Sequence, residues 1–334
     1  MKKLSALLVV VLLLSTILAA CNSSESNDEP GSKKENEKTF ITVATGGSGG
    51  VFFALGGALA DIYKSLDGVI ANAQSTKGSV VNVALINDGK ADIAFSNSSI
   101  AYYASNGIAM FDKKLENVYA MAELYPMYYH LVVAKDSGIN SIADIKGKKI
   151  AVGEKGSGTE VNVHQFLEGW NITYDDFDES FISFSNAVDQ MKNKSIDGAF
   201  VGAGIPTSSV MELMTSGNAK LVPLDNETVK KLAEKKYPFF KPGKIPAGTY
   251  SGQDEDIETI LIGTTLVVRK DLDEELAYKL TKAIYDNLDK LRDTHSAANN
   301  IKLESATDGM SIKIHPGAKK YYEENGLKIP TAAQ

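Results

Sequence analysis

Buried run, glycine-rich loop, helix: this order of apolar and polar positions recurs along the chain. Phe40-Ile41-Thr42-Val43-Ala44 is apolar and short enough for a strand, and it opens into Thr45-Gly46-Gly47-Ser48-Gly49-Gly50. From Val51 to Leu66, apolar residues recur at Phe53, Leu55, Leu59, Ile62 and Tyr63, the spacing of a helix. Ile70 to Gln74 predicts a second strand, Val80 to Asn87 a helix, and Ile93-Ala94-Phe95-Ser96-Asn97 a third strand. The chain changes around Met121. Leu131 to Ala134 then predicts a strand, and Ser141-Ile142-Ala143-Asp144-Ile145 a short helix capped by Ser141. Lys149-Ile150-Ala151-Val152 is a further buried run; it opens into Gly153-Glu154-Lys155-Gly156-Ser157-Gly158-Thr159 and a helix from Glu160 to Glu168. Gly198 to Val201 predicts a strand ending in Gly202-Ala203-Gly204. Thr264 to Val268 is rich in β-formers, Glu274 to Leu291 reads as one long amphipathic helix, and His315 to Asn325 as another. Strands alternating with helices at this spacing predict an α/β fold with parallel, helix-covered sheets. The repeated grammar predicts two similar domains.

In open α/β sheets a ligand sits outside the carboxyl ends of the strands. Both glycine-serine loops fall there, so two such edges can face each other across a cleft. Each loop places backbone N–H groups at a helix N-terminus, where an anion is favoured. Nucleotide binding is the rival reading. The dinucleotide pattern fails because Phe52 stands at the last glycine position counted from Gly47 and Gly49. The phosphate-loop pattern fails because no Gly-Lys pair is followed by Ser or Thr. After the second strand, Gln74, Thr76 and Asn82 point amides and hydroxyls toward the same cleft, while Ser79 either joins them or caps its helix. Ser96-Asn97-Ser98-Ser99 gives a third polar edge. Tyr125, Tyr128, Tyr129 and His130 cluster where the chain crosses between domains; packing is the reading for most, a ligand wall for Tyr125.

The four histidines, His130, His164, His295 and His315, have no ligand spacing, so no metal site is expected, and no cofactor. Gly156-Ser157-Gly158 lacks the spacing of a nucleophile elbow, which makes Ser157 a capping anion donor rather than a nucleophile. No catalytic residue is predicted, and the protein is not expected to be an enzyme.

The single cysteine adds a location. Lys2 and Lys3 precede an apolar run from Leu7 to Ala20 that ends Leu18-Ala19-Ala20-Cys21. Small residues before a cut site mark an export leader. A cysteine directly after the cut resembles the bacterial lipobox, in which that residue is lipid-modified, and no second cysteine offers a disulfide. Residues 1–20 thus read as a lipoprotein signal peptide, Cys21 as the lipidation site, and 21–38, polar and without aromatic residues, as a flexible tether. The protein is expected outside the cytoplasm, lipid-anchored to the cell membrane. Its formal net charge of −7, which loses two lysines with the leader, disfavours nucleic acid as a partner. The later chain has no apolar stretch long enough to span a bilayer. Arg269 and Arg292 are the only arginines.

Taken together, these residues resemble one family. The run from Thr45 to Ala60 looks like the opening motif of the TAXI-type solute receptors of TRAP transporters. Thr76-Lys77-Gly78-Ser79-Val80-Val81-Asn82 is similar to their second motif, except that Val81 stands where the family usually carries glutamate. Leu124-Tyr125-Pro126, then Asp144 to Gly153 with Gly156-Ser157-Gly158-Thr159-Glu160, match a third and a fourth. Asp197-Gly198-Ala199-Phe200, Gly204-Ile205-Pro206 and Ile245-Pro246-Ala247-Gly248-Thr249-Tyr250 complete a series spanning nearly the whole chain after the tether. The resemblance implies a two-lobed, type II periplasmic-binding-protein fold joined by a two-crossover hinge, with residues 39–127 plus 259–334 as one lobe and 128–258 as the other. It implies a monomeric receptor for a small organic anion or amino acid, of the glutamate, glutamine or 2-oxoglutarate class, that delivers its ligand to a TRAP permease driven by an ion gradient. Other TRAP receptors clamp a carboxylate with arginine; neither arginine here is placed for that. Site residues carried over by motif are Gly47, Ser48, Gly50 and Val51 from the first loop; Gln74, Thr76, Ser79 and Asn82 from the second; Asn97 and Tyr125 near the hinge; Ser157, Gly158 and Thr159 from the second lobe; and Gly202, Ala203 and Tyr250. A lipid-anchored sensor for a membrane signalling partner would share this chemistry, and an exported enzyme on the same scaffold is the remaining alternative. Glutamate and 2-oxoglutarate differ by an amine, whose acceptor spacing alone does not place.

Overall fold

The structure, a computed structural model, describes residues 38–334. The leader, Cys21 and the tether up to Glu37 lie outside the described residues.

Three parallel strands open the fold: β1 (Thr39–Ala44), β2 (Val69–Gln74) and β3 (Ile93–Asn97). Each feeds a helix: α1 (Val51–Tyr63), α2 (Ser79–Asn87) and α3 (Ser98–Asn106). β3 is buried along its whole length, which is why its residues Ile93-Ala94-Phe95 are apolar without alternation. A second parallel trio follows: β5 (Lys149–Ala151), β6 (Asp178–Ser180) and β7 (Gly198–Ala203). Its helices are α4 (Gly158–Leu167), α5 (Phe184–Lys192) and α6 (Ser208–Thr215).

Two long strands join the trios. β4 (Val118–Ala134) and β10 (Ile257–Arg269) run antiparallel, with Pro126 opposite Gly263. One half of β10 pairs with β3 and the other with β9 (Lys241–Ile245). β4 carries β7 and β8 (Ala219–Val222) on its far half. The sheet order is β2-β1-β3-β10-β4-β7-β5-β6. The molecule is therefore a two-lobed α/β protein: a parallel, helix-covered trio in each lobe, with the antiparallel pair β4 and β10 belonging to both. In the second lobe Phe166 is the centre of an aromatic core, edge-on to Tyr129, Phe200 and Phe240.

Two sequence expectations change. The strand expected at Leu131–Ala134 is the end of β4, whose first part holds Glu123, Pro126 and four aromatic residues and is buried on both faces. No alternation marks it for that reason. The helix expected over Glu274–Leu291 breaks at Asn287 into α8 (Glu274–Asp286) and α9 (Leu288–Thr294). Between them in sequence and fold, the Asn287 side-chain amide donates to the Ala283 carbonyl at 2.9 Å, a local bond that competes with helix continuation. Earlier in the chain α7 (Asn226–Lys235) packs beside β9, and α10 (Pro316–Glu324) packs on α8 near the end.

Candidate functional site

The loop after β1 is fastened by the loop after β2. Ser75 Oγ donates to the Gly46 carbonyl at 2.9 Å, and Thr76 Oγ1 contacts the Thr45 carbonyl at 3.1 Å and Asn82 Oδ1 at 2.6 Å. Asn82 Nδ2 donates to the carbonyls of Thr45 and Phe95, at 2.6 and 2.7 Å. Side chains thus take up the carbonyls of the first loop and hold the start of α1 toward the cleft. Gly50, Gly78 and Asn97 precede α1, α2 and α3 without a side-chain cap, and none of these helices has an acid in its first turn. Their N-terminal partial charges thus meet no acidic or capping side chain of their own, and of α2 the Val81 amide is taken by the Gly156 carbonyl at 3.2 Å.

The second lobe supplies two more helix starts. Ser157 Oγ accepts from the Glu160 amide at 3.1 Å and caps α4; Ser183 Oγ does the same for α5 through the Asn186 amide at 3.2 Å. The five helix starts surround one cavity of about 460 Å³. Its wall takes Gly47, Ser48, Gly50 and Val51 from the first loop, Thr76 and Ser79 from the second, and Asn97 from the end of β3. Across the cleft stand Ser157, Gly158, Thr159, Gly202 and Ala203. The lobes approach closely here. A Cβ on Gly158 would lie 2.5 Å from Asn97 Nδ2 and 2.8 Å from Ser79 Oγ, so only glycine fits between them.

Under the cavity a buried polar network ties the lobes. Ser79 and Asn97 exchange hydrogen bonds, the Asn97 and Asn162 amides both donate to the Tyr129 hydroxyl, and Ser99 Oγ donates to Asn162 Oδ1.

Four expected site residues stay off the wall. Gln74 gives only its carbonyl, which accepts from the Thr45 amide and hydroxyl. Asn82 is fully buried and occupied by the carbonyls it holds. Tyr125 is buried against Gly204 with its hydroxyl unpartnered, so it packs the hinge rather than walling the cleft. Tyr250 belongs to a strut. The His130 Nδ1–H donates to the Val201 carbonyl at 2.8 Å, which leaves Nε2 to accept from the Tyr250 hydroxyl, also at 2.8 Å. That hydroxyl accepts from the Thr207 amide at 3.2 Å, and Thr207 Oγ1 reaches across the cleft to the Gly49 carbonyl at 3.0 Å. Burial pushes the His130 imidazole down to about 4, so the strut is neutral.

The wall also contains residues that sequence reasoning missed: Phe52, Lys77, Met127, Glu154 and the turn Ser183-Phe184-Ser185. The turn follows β6, a three-residue polar strand with no apolar signal. Ser183 as an N-cap was its one legible mark. Neither arginine enters the wall. Arg269 Nε lies 3.0 Å from Asp92, and Arg292 pairs with Asp289 at 3.1 Å. Among the described residues no group of side chains is arranged to hold a metal ion.

The NMT1-like family model matches residues 43–326. A protein of Bordetella bronchiseptica RB50 superposes with a TM-score of 0.53 at 18% identity, over 89% of this chain and 86% of its own. The binding-protein component of an ABC phosphonate transporter from Pseudomonas aeruginosa gives a TM-score of 0.52 at 14% identity, over 79% of this chain and 80% of its own. At such identities the likeness is one of fold, and it is the two-lobed arrangement described above. With the family match running from β1 past the end of α10, the chain belongs to the NMT1-like family.

Proposed function

We propose that this protein is an extracytoplasmic solute receptor, anchored by lipid at Cys21, that captures a small organic anion or amino acid of the glutamate, glutamine or 2-oxoglutarate class and passes it to a membrane permease. The observation that carries this reading is the convergence of five helix starts, three of them uncapped, on one interlobe cavity without an arginine. Such a cavity binds a carboxylate through backbone N–H groups and short hydroxyls. Its volume lies in the range of small-molecule pockets. The wall hydroxyls support binding rather than turnover: Ser157 caps a helix, Ser79 is bonded to Asn97, and among the described residues no imidazole or thiol lines the cavity. The motif resemblance supports a TRAP permease as the recipient. The fold shared with the phosphonate-transporter component supports an ATP-driven one as the second reading.

Thermal unfolding against a panel of dicarboxylates, 2-oxo acids and amino acids tests the receptor. A ligand that binds only the folded state adds about 2.7 kcal/mol at a hundred times its Kd. A rise in Tm with one of these solutes, diminished in a Ser48→Ala, Ser157→Ala double variant, is the expected result; no rise across the panel overturns the ligand class. Uptake that collapses with the ion gradient but survives ATP depletion identifies the TRAP route, and the converse the ATP-driven one.

A further inference from the structure

Two charged residues line the cavity, one from each lobe: Lys77, in the loop before α2, and Glu154, in the loop after β5. We propose that they select a ligand carrying both a carboxylate and a protonated amine, with Glu154 as the amine acceptor. This rests on the receptor reading above and narrows it to amino acids over their 2-oxo counterparts.

Neither side chain is occupied within the protein. Among the described residues, Lys77 and Glu154 form no ion pair or hydrogen bond through their charged groups, with each other or with a neighbour. The adjacent charges are used: the Lys155 ammonium sits 4.3 Å from the Phe181 ring centroid, and Glu160 Oε1 accepts from the Tyr174 hydroxyl at 3.3 Å. The Glu154 backbone is fixed by a turn, its carbonyl accepting from the Ser157 amide at 2.9 Å, next to Gly153 at a φ of +95°, which an L side chain rarely adopts. A half-buried glutamate thus stands in the wall of a cavity that also presents helix starts and Lys77, which attract anions.

For a ligand that is only an anion, Glu154 is a repulsive neighbour with no compensating cation bonded to it. For an α-amino acid the same carboxylate meets the ammonium group, while the helix starts and Lys77 meet the carboxylate. Replacing that ammonium with a keto oxygen leaves two acceptors facing each other, an unpaired contact that discriminates strongly.

The test is calorimetric binding of three matched pairs to the purified protein: glutamate with 2-oxoglutarate, alanine with pyruvate, leucine with 4-methyl-2-oxopentanoate. The amino acid of at least one pair is expected to bind tenfold or more tightly than its 2-oxo acid. Glu154→Gln should shrink that ratio mainly by weakening the amino acid, Glu154→Asp should retain part of it, and Lys77→Met should weaken both members alike. Unchanged far-ultraviolet circular dichroism and Tm would show that the variants remain folded. Equal or tighter binding of a 2-oxo acid, or a ratio untouched by Glu154→Gln, overturns the amine assignment and leaves the receptor standing. Binding of none of the six overturns this assignment, and a positive response elsewhere in the wider solute panel would show that the receptor reading survives it.

Discussion

Glu123 is a buried carboxyl in one of the two strands that join the lobes. It lies on β4 with its carboxyl enclosed by the hydroxyls of Thr265 and Ser98, which both donate to it, and with no cation bonded to it. Burial pushes this carboxyl up to about 7 from an ordinary 4.5; the two hydroxyls and the more distant Lys241 only moderate the shift. A raised folded-state value means that the folded protein holds this proton more tightly than the unfolded chain. The associated stability is present in full below about pH 4.5 and is lost as pH rises through about 7, a fall of about 3 kcal/mol. Chemical unfolding from pH 5 to 8 should therefore show wild-type stability declining more steeply than that of Glu123→Gln, which keeps the neutral shape. Parallel profiles would mean that Glu123 ionises as it does in the unfolded chain. Gly158 is the other residue on which much depends. Gly158→Ala places a methyl group 2.5 Å from Asn97 Nδ2. Ligand affinity should fall at least tenfold with little change in ligand-free Tm, because the clash exists only where the lobes meet; affinity within twofold of wild type would show that the hinge absorbs it.

At the level of elements, the cavity is built from helix starts rather than from special side chains. That explains why the glycine-serine loops were legible: glycine for close approach, then an amphipathic run, is a local pattern. Ser157 was legible as a cap for the same reason, and it caps α4. Removing it in Ser157→Ala should cost about 1 kcal/mol, a fall in Tm of about 2 °C. A change below 0.3 kcal/mol in chemical unfolding would show that water replaces the hydroxyl at no cost. Of the long strands only the ends Leu131–Ala134 and Thr264–Val268 were legible; the first part of β4 was not, because burial on both faces erases the alternation by which a strand is read. β6 was missed for the opposite reason: three polar residues joined to the sheet by backbone pairing to β5 alone.

For the whole molecule, the two lobes touch across the cleft. The lobes meet through direct polar bonds: Thr207 Oγ1 to the Gly49 carbonyl, the Val81 amide to the Gly156 carbonyl at 3.2 Å, Tyr103 to Gln165 at 3.3 Å, and the buried bonds Asn97 to Tyr129 and Ser99 to Asn162. A ligand shifts the open–closed balance only by its differential affinity for the closed state. Small-angle scattering should then show a smaller radius of gyration with saturating ligand than without it, and Gly158→Ala should keep the larger value. No change in the wild type would mean that the lobes stay closed in the absence of ligand.

The sequence by itself determined the alternating α/β plan, the two glycine-serine loops with their helix starts, and the exclusion of both arginines as carboxylate clamps. These are local matters: a helix start, a tight turn or a buried run is written within a few consecutive residues. Only the tertiary structure decided that Tyr125 and Tyr250 turn away from the cavity, that β4 and β10 span both lobes, and that Lys77, Glu154 and the turn at Ser183 come to one wall. Those placements depend on sheet order and on how two lobes close, which bring together residues far apart in the chain and leave no periodic trace in it.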